Sequence, residues 1–239
     1  MPGRIGTARE YGLPAKLQAF GGNGLIAAYL AAEAYLLWKC SGIALAVGRH
    51  VGVMTGDIEI CTPEEVLKFW FTELSYDHWF TPDPGLDEQC AQRFQASHLA
   101  LSRNFDNVWR ETPQNWLAAV ILFDQMPRNM YRGSPLAFAT DCLALREAKL
   151  AIGASADMAV PREWRAFFYM PFEHSENLTD QTMSVKLFTE LGDASYLDYA
   201  IRHRDVMERF GRFPHRNGIL ARMSSAAEEE YLAQPGAGF

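Results

Sequence analysis

Lysine is scarce in this 239-residue chain, and positive charge as a whole is in the minority. Only five of the 22 basic residues are lysines, whereas Asp and Glu together number 29, so the formal net charge is −7. Proteins that bind along nucleic acid need a basic face that displaces counterions from the phosphates. The composition therefore argues against a nucleic-acid partner, and its seventeen arginines favour the paired, planar recognition of carboxylate or phosphate groups.

Cysteine is also sparse, and its four positions share no short spacing. None forms a C-x-x-C pair of the kind that binds zinc or cycles between thiol and disulfide. None has a histidine within four positions to act as the base for a nucleophilic thiol. The pattern predicts reduced cysteines with packing roles in a cytoplasmic protein, with no metal site and no cofactor. The four residues are Cys40, Cys61, Cys90 and Cys142.

No hydrophobic run reaches the length of a membrane-spanning helix, which is about 18 to 20 residues. The longest candidate, Leu25 to Trp38, carries Glu33 within it, so membrane contact is expected, if at all, only through residues 25–48. Three interpretations of residues 1–53 stay open: an extension upstream of the true start, a poorly packed or membrane-touching helix, and a signal peptide. A new composition begins at Met54, and we predict a single helical domain over residues 54–239.

Strand signals are nearly absent after Met54. Helix starts recur as a hydroxyl residue with proline directly after it or glutamate three residues later. Thr62, Thr112 and Ser134 each precede a proline, and Ser225 opens a capping box with Glu228. Apolar residues between these starts follow helical spacing. The predicted helices span residues 63–75, 87–110, 113–126, 135–152, 161–169, 178–191, 195–210 and 225–233. The pattern predicts an all-α fold of antiparallel helix pairs, and we find no fixed-period repeat.

The first polar cluster follows the most apolar helix and contains Asp124, Arg128 and Asn129. Burying such groups without partners costs a few kcal/mol, so each of them needs one. One interpretation is structural: Asp124 pairs with Arg128 or with an arginine of another helix. The other interpretation places the three side chains at the rim of a ligand pocket.

The second polar cluster is a segment rich in carboxylates around a single histidine, His174. Neighbouring carboxylates, including Glu176, can orient and charge an imidazole for acid–base chemistry. The structural alternative is helix capping by Asn177 or Thr179, which leaves Glu173, His174 and Glu176 without a role. The spacing of His174, Glu176 and the nearby acids does not match a helical zinc motif, so no metal site is predicted.

The third polar cluster runs from Arg202 to Asn217 and holds five arginines and two histidines. Gly211 and Pro214 end the helix that enters it. The donors after this break suit an anion clamp, with a histidine as a proton switch, although docking onto carboxylates of neighbouring helices is an equal alternative. The candidate residues are Arg209, Arg212, His215, Arg216 and Asn217.

Five motifs give the chain a resemblance to a bacterial family. They are Phe69-Trp70-Phe71 after Pro63-Glu64-Glu65, Trp79-Phe80, Asp124-Gln125-x-Pro-Arg-Asn with Tyr131-Arg132-Gly133, Pro171-Phe172-x-His-Ser-Glu, and Arg209 to Asn217. From Cys61 to Leu232 the chain resembles the bacterial domain-of-unknown-function family 924. The resemblance implies a right-handed, tetratricopeptide-like helical array and a cytoplasmic location. It implies no activity and no catalytic residue.

Three functional hypotheses follow from these clusters. In the first, the protein binds a small anionic ligand or an acidic peptide through Asp124, Arg128, Asn129, Arg209, Arg212, Arg216 and Asn217. In the second, it is a hydrolase or lyase on a small anionic substrate, with His174 or His215 as acid–base group and Glu176 beside them. In the third, the clusters are salt bridges and caps. We favour binding, with the enzyme as the alternative.

Overall fold

A computed structural model describes residues 60–238 of the chain. These residues are all-α as predicted, because the described range contains helices and no β-strand. They lie within one compact unit, Ile58–Phe239. The interpretations of residues 1–53, the membrane contact through residues 25–48 and the boundary at Met54 fall outside the described residues. The right-handed, tetratricopeptide-like arrangement stays a prediction.

The helices are numbered here in chain order. They are α1 (Pro63–Lys68), continued by a π-helical turn (Phe69–Glu73), α2 (Tyr76–Phe80), α3 (Pro84–Arg103), α4 (Pro113–Asp124), α5 (Met126–Met130), α6 (Asp141–Gly153), α7 (Ala166–Glu173), α8 (Leu178–Leu191), α9 (Ala194–Phe210) and α10 (Ala226–Leu232). Short 3-10 turns occupy Asn107–Arg110, Pro135–Phe138, Ala156–Ala159, Arg162–Trp164 and Pro214–Arg216. Helices that are next to each other or one apart in the chain pack in the pairs α3–α5, α4–α6, α6–α7, α7–α8 and α8–α9.

The helix starts lie where local chemistry predicts them. Thr62 and Ser225 each complete a capping box, and the Thr112 hydroxyl accepts a hydrogen bond from the Asn115 amide. At the other end, Gly192 and Gly211 adopt φ values of 73° and 68° and terminate α8 and α9. Glycine adopts this left-handed conformation without steric cost, so both helices stop where the sequence predicts.

Three predicted helices were wrong in extent. The stretch 161–169 is a 3-10 turn followed by α7, which begins at Ala166 and continues to Glu173, beyond the predicted end. The stretch 135–152 is interrupted, because a 3-10 turn follows Ser134 and α6 begins only at Asp141. The stretch 87–110 begins earlier, at Pro84, where the Asp83 carboxylate caps the Gly85 amide, and it ends at Arg103. Ser134 and Asp83 each accept a hydrogen bond from the backbone two residues ahead, so a local side-chain bond marks the start of the 3-10 turn and of α3.

A proline separates α4 from α5. Pro127 has no N–H to donate to the carbonyl oxygen of Phe123, four residues earlier. The Thr140 hydroxyl donates to that oxygen instead, over 2.7 Å. The α-helix is therefore interrupted at Gln125, and the short helix α5 follows without leaving this buried carbonyl unsatisfied.

The core is built around two helices that are buried along most of their length. Every residue of α4 from Leu117 to Asp124 is buried, and so is every residue of α7. The two helices contact each other and are enclosed by α1, α6 and α8. Large aromatic side chains fill the space between them. Burial of each one stabilises the folded state by about 1.5–3 kcal/mol. Both helices end in acidic residues, Asp124 and Glu173, which are thereby carried into the interior.

Candidate functional site

Asp124, the last residue of α4, is fully buried and is the centre of a polar network. Its Oδ1 lies 2.8 Å from His174 Nδ1, and its Oδ2 accepts a hydrogen bond of 2.5 Å from the side-chain amide of Gln125. The Arg128 guanidinium lies 3.6 Å from Oδ1 and also donates to the Asp124 carbonyl. Asp124 therefore has the partners that a buried carboxylate requires.

Asp124 sets the tautomer of His174. Burial acts to raise the pKa of Asp124, but the His174 ring and the Arg128 guanidinium outweigh it and hold that pKa well below its usual value. An ionised carboxylate only accepts hydrogen bonds, so His174 Nδ1 carries the hydrogen. Burial and the charge of Arg128 lower the pKa of His174. A neutral His174 then keeps its lone pair on Nε2, which is the arrangement of an oriented general base.

Glu173 and His203 form a second carboxyl–imidazole pair next to the first. Both side chains are buried, and Glu173 Oε1 lies 3.1 Å from His203 Nδ1. His203 Nδ1 is also 2.8 Å from the carbonyl oxygen of Tyr199. Burial, with the charge of Asp124 adding to it, raises the pKa of Glu173 to about 8, against the opposing effect of Arg128. Glu173 therefore retains its proton at neutral pH, unlike Asp124.

A pocket of about 440 Å³ opens above these two pairs. Glu173 and His174 line it from the end of α7, and Gln125, Arg128, Asn129 and Arg132 line it from α5 and its flanking residues. The carboxylates that pair with the arginines are not lining residues. Glu173 is the sole acidic residue of the lining within the described range, so the polar wall presents mainly N–H groups.

The three donors on this wall are held in place from behind. Arg128 donates to both oxygens of Asp141, at 3.0 and 3.3 Å. Asp87 accepts from Asn129 at 3.0 Å and from Arg132 at 2.6 and 2.8 Å. Bidentate contacts of this kind fix the plane of a guanidinium group. The donors are therefore oriented before any ligand arrives. The two aspartates also neutralise part of the positive charge of the arginines.

Aromatic rings form the opposite wall of the pocket. Trp79 stacks on the buried Trp70 with 6.3 Å between ring centroids and donates its indole N–H to the Trp70 carbonyl. The ring centroids of Phe80 and Tyr196 are 6.2 Å apart, so α2 and α9 meet at the pocket. Tyr76 and Phe80 are 53% and 48% exposed, which is high for large rings beside a cavity. An apolar body placed here would cover them.

Arg216 lies outside the pocket lining, although it belongs to the same network. It is buried between the rings of Phe138 and Phe213, 4.7 Å from each centroid, and its Nη1 is 3.5 Å from Asp141 Oδ2. Burial and the nearby charge of Arg128 lower its pKa to about 10. Arg216 therefore supports the carboxylate that orients Arg128.

Other residues of the third cluster bind the C-terminal segment to the fold. Arg212 pairs with Glu228 at 2.6 and 2.8 Å, and Arg209 packs over Phe210 and Tyr231. None of these residues lines the pocket. Their partners belong to the final helix and the end of α9, so the contacts tie α10 down.

The remaining three candidates lie at the junction of the C-terminal segment with α7 and α8. Glu176 accepts from the Phe213 amide at 2.8 Å and from Arg222, and Asn217 donates to Ser224. His215 is half-buried beside Phe213, and burial lowers its pKa to about 4. None of the three lines the pocket, so the structure brings together only Arg128, Asn129 and His174 of the predicted residues there, with Asp124 directly behind them.

Sequence reasoning did not select Glu173 or His203 as site residues. Glu173 directly follows the run Ala166 to Phe172, which contains no charged residue. Such a run predicts burial of the acid that follows it. His203 sits among charged residues of α9 and has no comparable local signal. Among the described residues there is no group of His, Cys, Asp and Glu that could hold a metal ion. Likewise, no helix within residues 60–238 is long and apolar enough to cross a membrane.

The described part of the chain is thus an all-α protein with a pocket whose floor holds two buried carboxyl–imidazole pairs. The chain belongs to the family described as "Bacterial protein of unknown function (DUF924)", whose model matches residues 66–236. A solved structure of a protein of unknown function from Agrobacterium tumefaciens, ATU0120, is similar to it at 40% identity with a TM-score of 0.69. The match covers 72% of this chain and 96% of that one. No curated protein matches the chain.

Proposed function

We propose that the protein binds a small anionic organic molecule with an apolar body in the pocket between α2, α5, α7 and α9. The observation that carries this proposal is the separation of charges: Arg128, Asn129 and Arg132 face the cavity, while Asp87, Asp124 and Asp141 lie behind them. A ligand carboxylate or phosphate would accept hydrogen bonds from that wall, and its apolar part would pack on Trp79 and Phe80.

The dimensions of the pocket favour a small molecule over an acidic peptide. A volume of about 440 Å³ falls in the ordinary range for small-ligand sites, about 300–1,000 Å³. An extended peptide needs a long groove, and the arginines expected to line one, Arg209 and Arg212, instead contact the C-terminal segment. The free thiols of Cys61, Cys90 and Cys142 support a cytoplasmic location for this binding function.

The test is a thermal-shift screen of the full chain against carboxylates and phosphate esters, each paired with its neutral alcohol. A ligand at one hundred times its Kd adds about 2.7 kcal/mol to the free energy of unfolding. We expect the anion of a pair to stabilise the wild type more than the alcohol does. Arg132→Gln should weaken anion binding by about 1.5–3 kcal/mol, because a charge-assisted hydrogen bond is lost.

Arg209→Gln is the matched control, since Arg209 lies away from the pocket and contacts only Phe210 and Tyr231 in the described range. It should leave the anion preference intact. Equal stabilisation by anion and alcohol would contradict the anionic class, and the absence of any binding compound would contradict the small-molecule site itself.

A second candidate function is catalysis with His174 as the acid–base group, in a hydrolase or lyase. The observation that favours it is the Asp124–His174 hydrogen bond of 2.8 Å, in which a buried anion orients an imidazole that lines the pocket. A positioned acid–base group contributes about 10²–10⁴-fold to a rate. Once a ligand that turns over is found, His174→Gln should lower kcat by that factor and leave Kd nearly unchanged. An unchanged kcat would exclude His174 as the acid–base group.

A further inference from the structure

Glu173 and His174 are consecutive residues at the end of α7, and both line the same pocket. Each is held by a buried partner on a different helix. Asp124 of α4 holds the imidazole of His174, whereas His203 of α9 holds the carboxyl group of Glu173. Asp124 lies behind the lining, whereas Glu173, His174 and His203 all line the pocket. The pocket therefore meets the imidazole of the first pair and both the carboxyl group and the imidazole of the second.

Hydrogen-bond chemistry assigns the protons in the second pair. The Tyr199 carbonyl oxygen can only accept, so His203 Nδ1, 2.8 Å from it, carries a hydrogen. Glu173 Oε1 faces the same nitrogen at 3.1 Å. A proton on Glu173 therefore resides on its other oxygen, Oε2. Burial of Glu173 beside the charge of Asp124 raises the pKa of Glu173 and so favours its protonated form, whereas the pKa of Asp124 is lowered.

We infer that Glu173 and His174 act on one bound substrate as proton donor and proton acceptor, and that they catalyse the enolisation of a small oxo carboxylate. This inference rests on the proposed binding of an anion in the same pocket. It assigns a catalytic role to Glu173 and a positioning role to His203. Two neighbouring titratable groups with opposite protonation states are the usual arrangement for paired acid and base catalysis.

The step conserves atoms and electrons with these groups alone. His174 Nε2 takes a proton from the carbon next to the substrate carbonyl, and the electron pair of that C–H bond forms the C=C bond. The carbonyl π pair moves to oxygen, which receives the proton of Glu173. The product is the enol, with His174 as imidazolium and Glu173 as carboxylate. The reverse step restores both, and no oxidant or further reactant takes part.

The surroundings of the two groups suit this step. Arg128, beside Asp124, and Arg132, on Asp87, can hold the substrate carboxylate at the polar wall. His174 forms no hydrogen bond with a serine or threonine hydroxyl in the part of the chain that the structure describes, so it is not arranged to activate a covalent nucleophile. Direct proton abstraction needs only the free lone pair on Nε2.

The experiment measures deuterium incorporation at C3 of phenylpyruvate in D₂O, with the full chain and by proton NMR. We expect the wild type to accelerate exchange over buffer. Glu173→Gln and His174→Gln should each lower that acceleration by ~100-fold or more. Glu190→Gln is the matched control, because Glu190 is an exposed residue of α8 whose one ion pair within residues 60–238 is with Lys186, at 3.8 Å. It should retain the wild-type rate.

Binding of 3-phenylpropionate, which has no oxo group, separates this inference from the proposed function. If the variants bind it as the wild type does and lose exchange, the inference is supported. If the wild type binds it and exchange equals the buffer rate, enolisation is overturned while anion binding stands. If neither 3-phenylpropionate nor phenylpyruvate binds, both proposals fail. Wild-type exchange in Glu173→Gln would overturn the role of Glu173.

A pH profile tests the positioning role of His203. The groups that face Glu173 are Asp124 from α4, Arg128 from α5, His203 and Tyr196 from α9, and the adjacent His174. We expect the exchange rate to fall at alkaline pH as Glu173 loses its proton, and His203→Gln to shift this alkaline limb. If the alkaline limb of His203→Gln lies at the same pH as that of the wild type, the positioning role is overturned. A purely structural loss lowers the rate at every pH alike.

Discussion

The two most polar regions of the molecule are built in opposite ways. The segment from Arg202 to Asn217 is dense in charge along the sequence, and its arginines are engaged by Glu228, Asp141 and aromatic rings. The ends of α4 and α7 contribute only Asp124, Glu173 and His174, yet these lie under a cavity with perturbed pKa values. Charge density in the sequence therefore marks a region that holds the fold together. A few polar residues that end apolar helices mark the pocket.

The largest effect should follow from removing the centre of the buried network. Asp124→Ala leaves His174, Gln125 and Arg128 without their shared acceptor, and removing one partner of a buried ion pair costs about 3–5 kcal/mol. Urea unfolding of the variant should show a loss of this size. A loss of less than about 1 kcal/mol would mean that water replaces the carboxylate, and the contrast between the two regions would then disappear.

A smaller effect, which depends on pH, should follow from Glu173→Gln. The pKa of Glu173 is raised from 4.5 to about 8 in the folded protein, so the native state holds a proton that the unfolded chain has lost between these pH values. The contribution of Glu173 to stability is thus highest below pH 4.5 and falls as pH rises to 8, by about 1.4 kcal/mol for each pH unit.

Glutamine does not titrate, so the stability of Glu173→Gln relative to the wild type should increase from pH 5 to pH 9. Chemical unfolding at a series of pH values measures this difference. The matched control is again Glu190→Gln, which makes the same substitution at an exposed position of α8. A difference for Glu173→Gln that is independent of pH would show that Glu173 is ionised in the folded protein.

The smallest effect is expected in the charge-dense segment. Arg212 is partly exposed, although its partner Glu228 is buried, so solvent screens only one side of the pair. Arg212→Gln should lower the melting temperature less than Asp124→Ala does and should not alter ligand binding. A loss of binding in this variant, with the fold intact, would restore the anion clamp that the sequence alone suggested.

The parts of the fold that depend on neighbours in sequence could be predicted. Thr62, Thr112 and Ser225 cap helices through hydrogen bonds to residues three positions ahead, so a few letters of sequence contain the whole interaction. Ser134 shows the limit, because its hydroxyl bonds two residues ahead and opens only a 3-10 turn. The tetratricopeptide-like arrangement depends on how helix pairs stack, which such local signals do not contain.

The candidate site was predictable only in part, for the same physical reason. Asp124 and His174 were selected because polar residues beside an apolar run need partners, but their hydrogen bond joins residues 50 apart in the chain. The Glu173–His203 pair also depends on the packing of α7 against α9. Arg212 and His215 were selected because charge is plentiful near them. Burial, and not abundance, decides which polar groups acquire unusual protonation states.

The break at Pro127 has a consequence for the evolution of binding specificity in this pocket. Arg128 and Asn129 line the cavity from α5, which is separated from α4 by one missing N–H at Pro127 and by the Thr140 hydroxyl that takes its place. In a continuous helix, each side chain is rotated by a fixed angle from the one before it. The positions of the donors would then be fixed by those of the buried residues of α4. With the break, substitutions in α5 can reshape the polar wall while the buried α4 stays as it is.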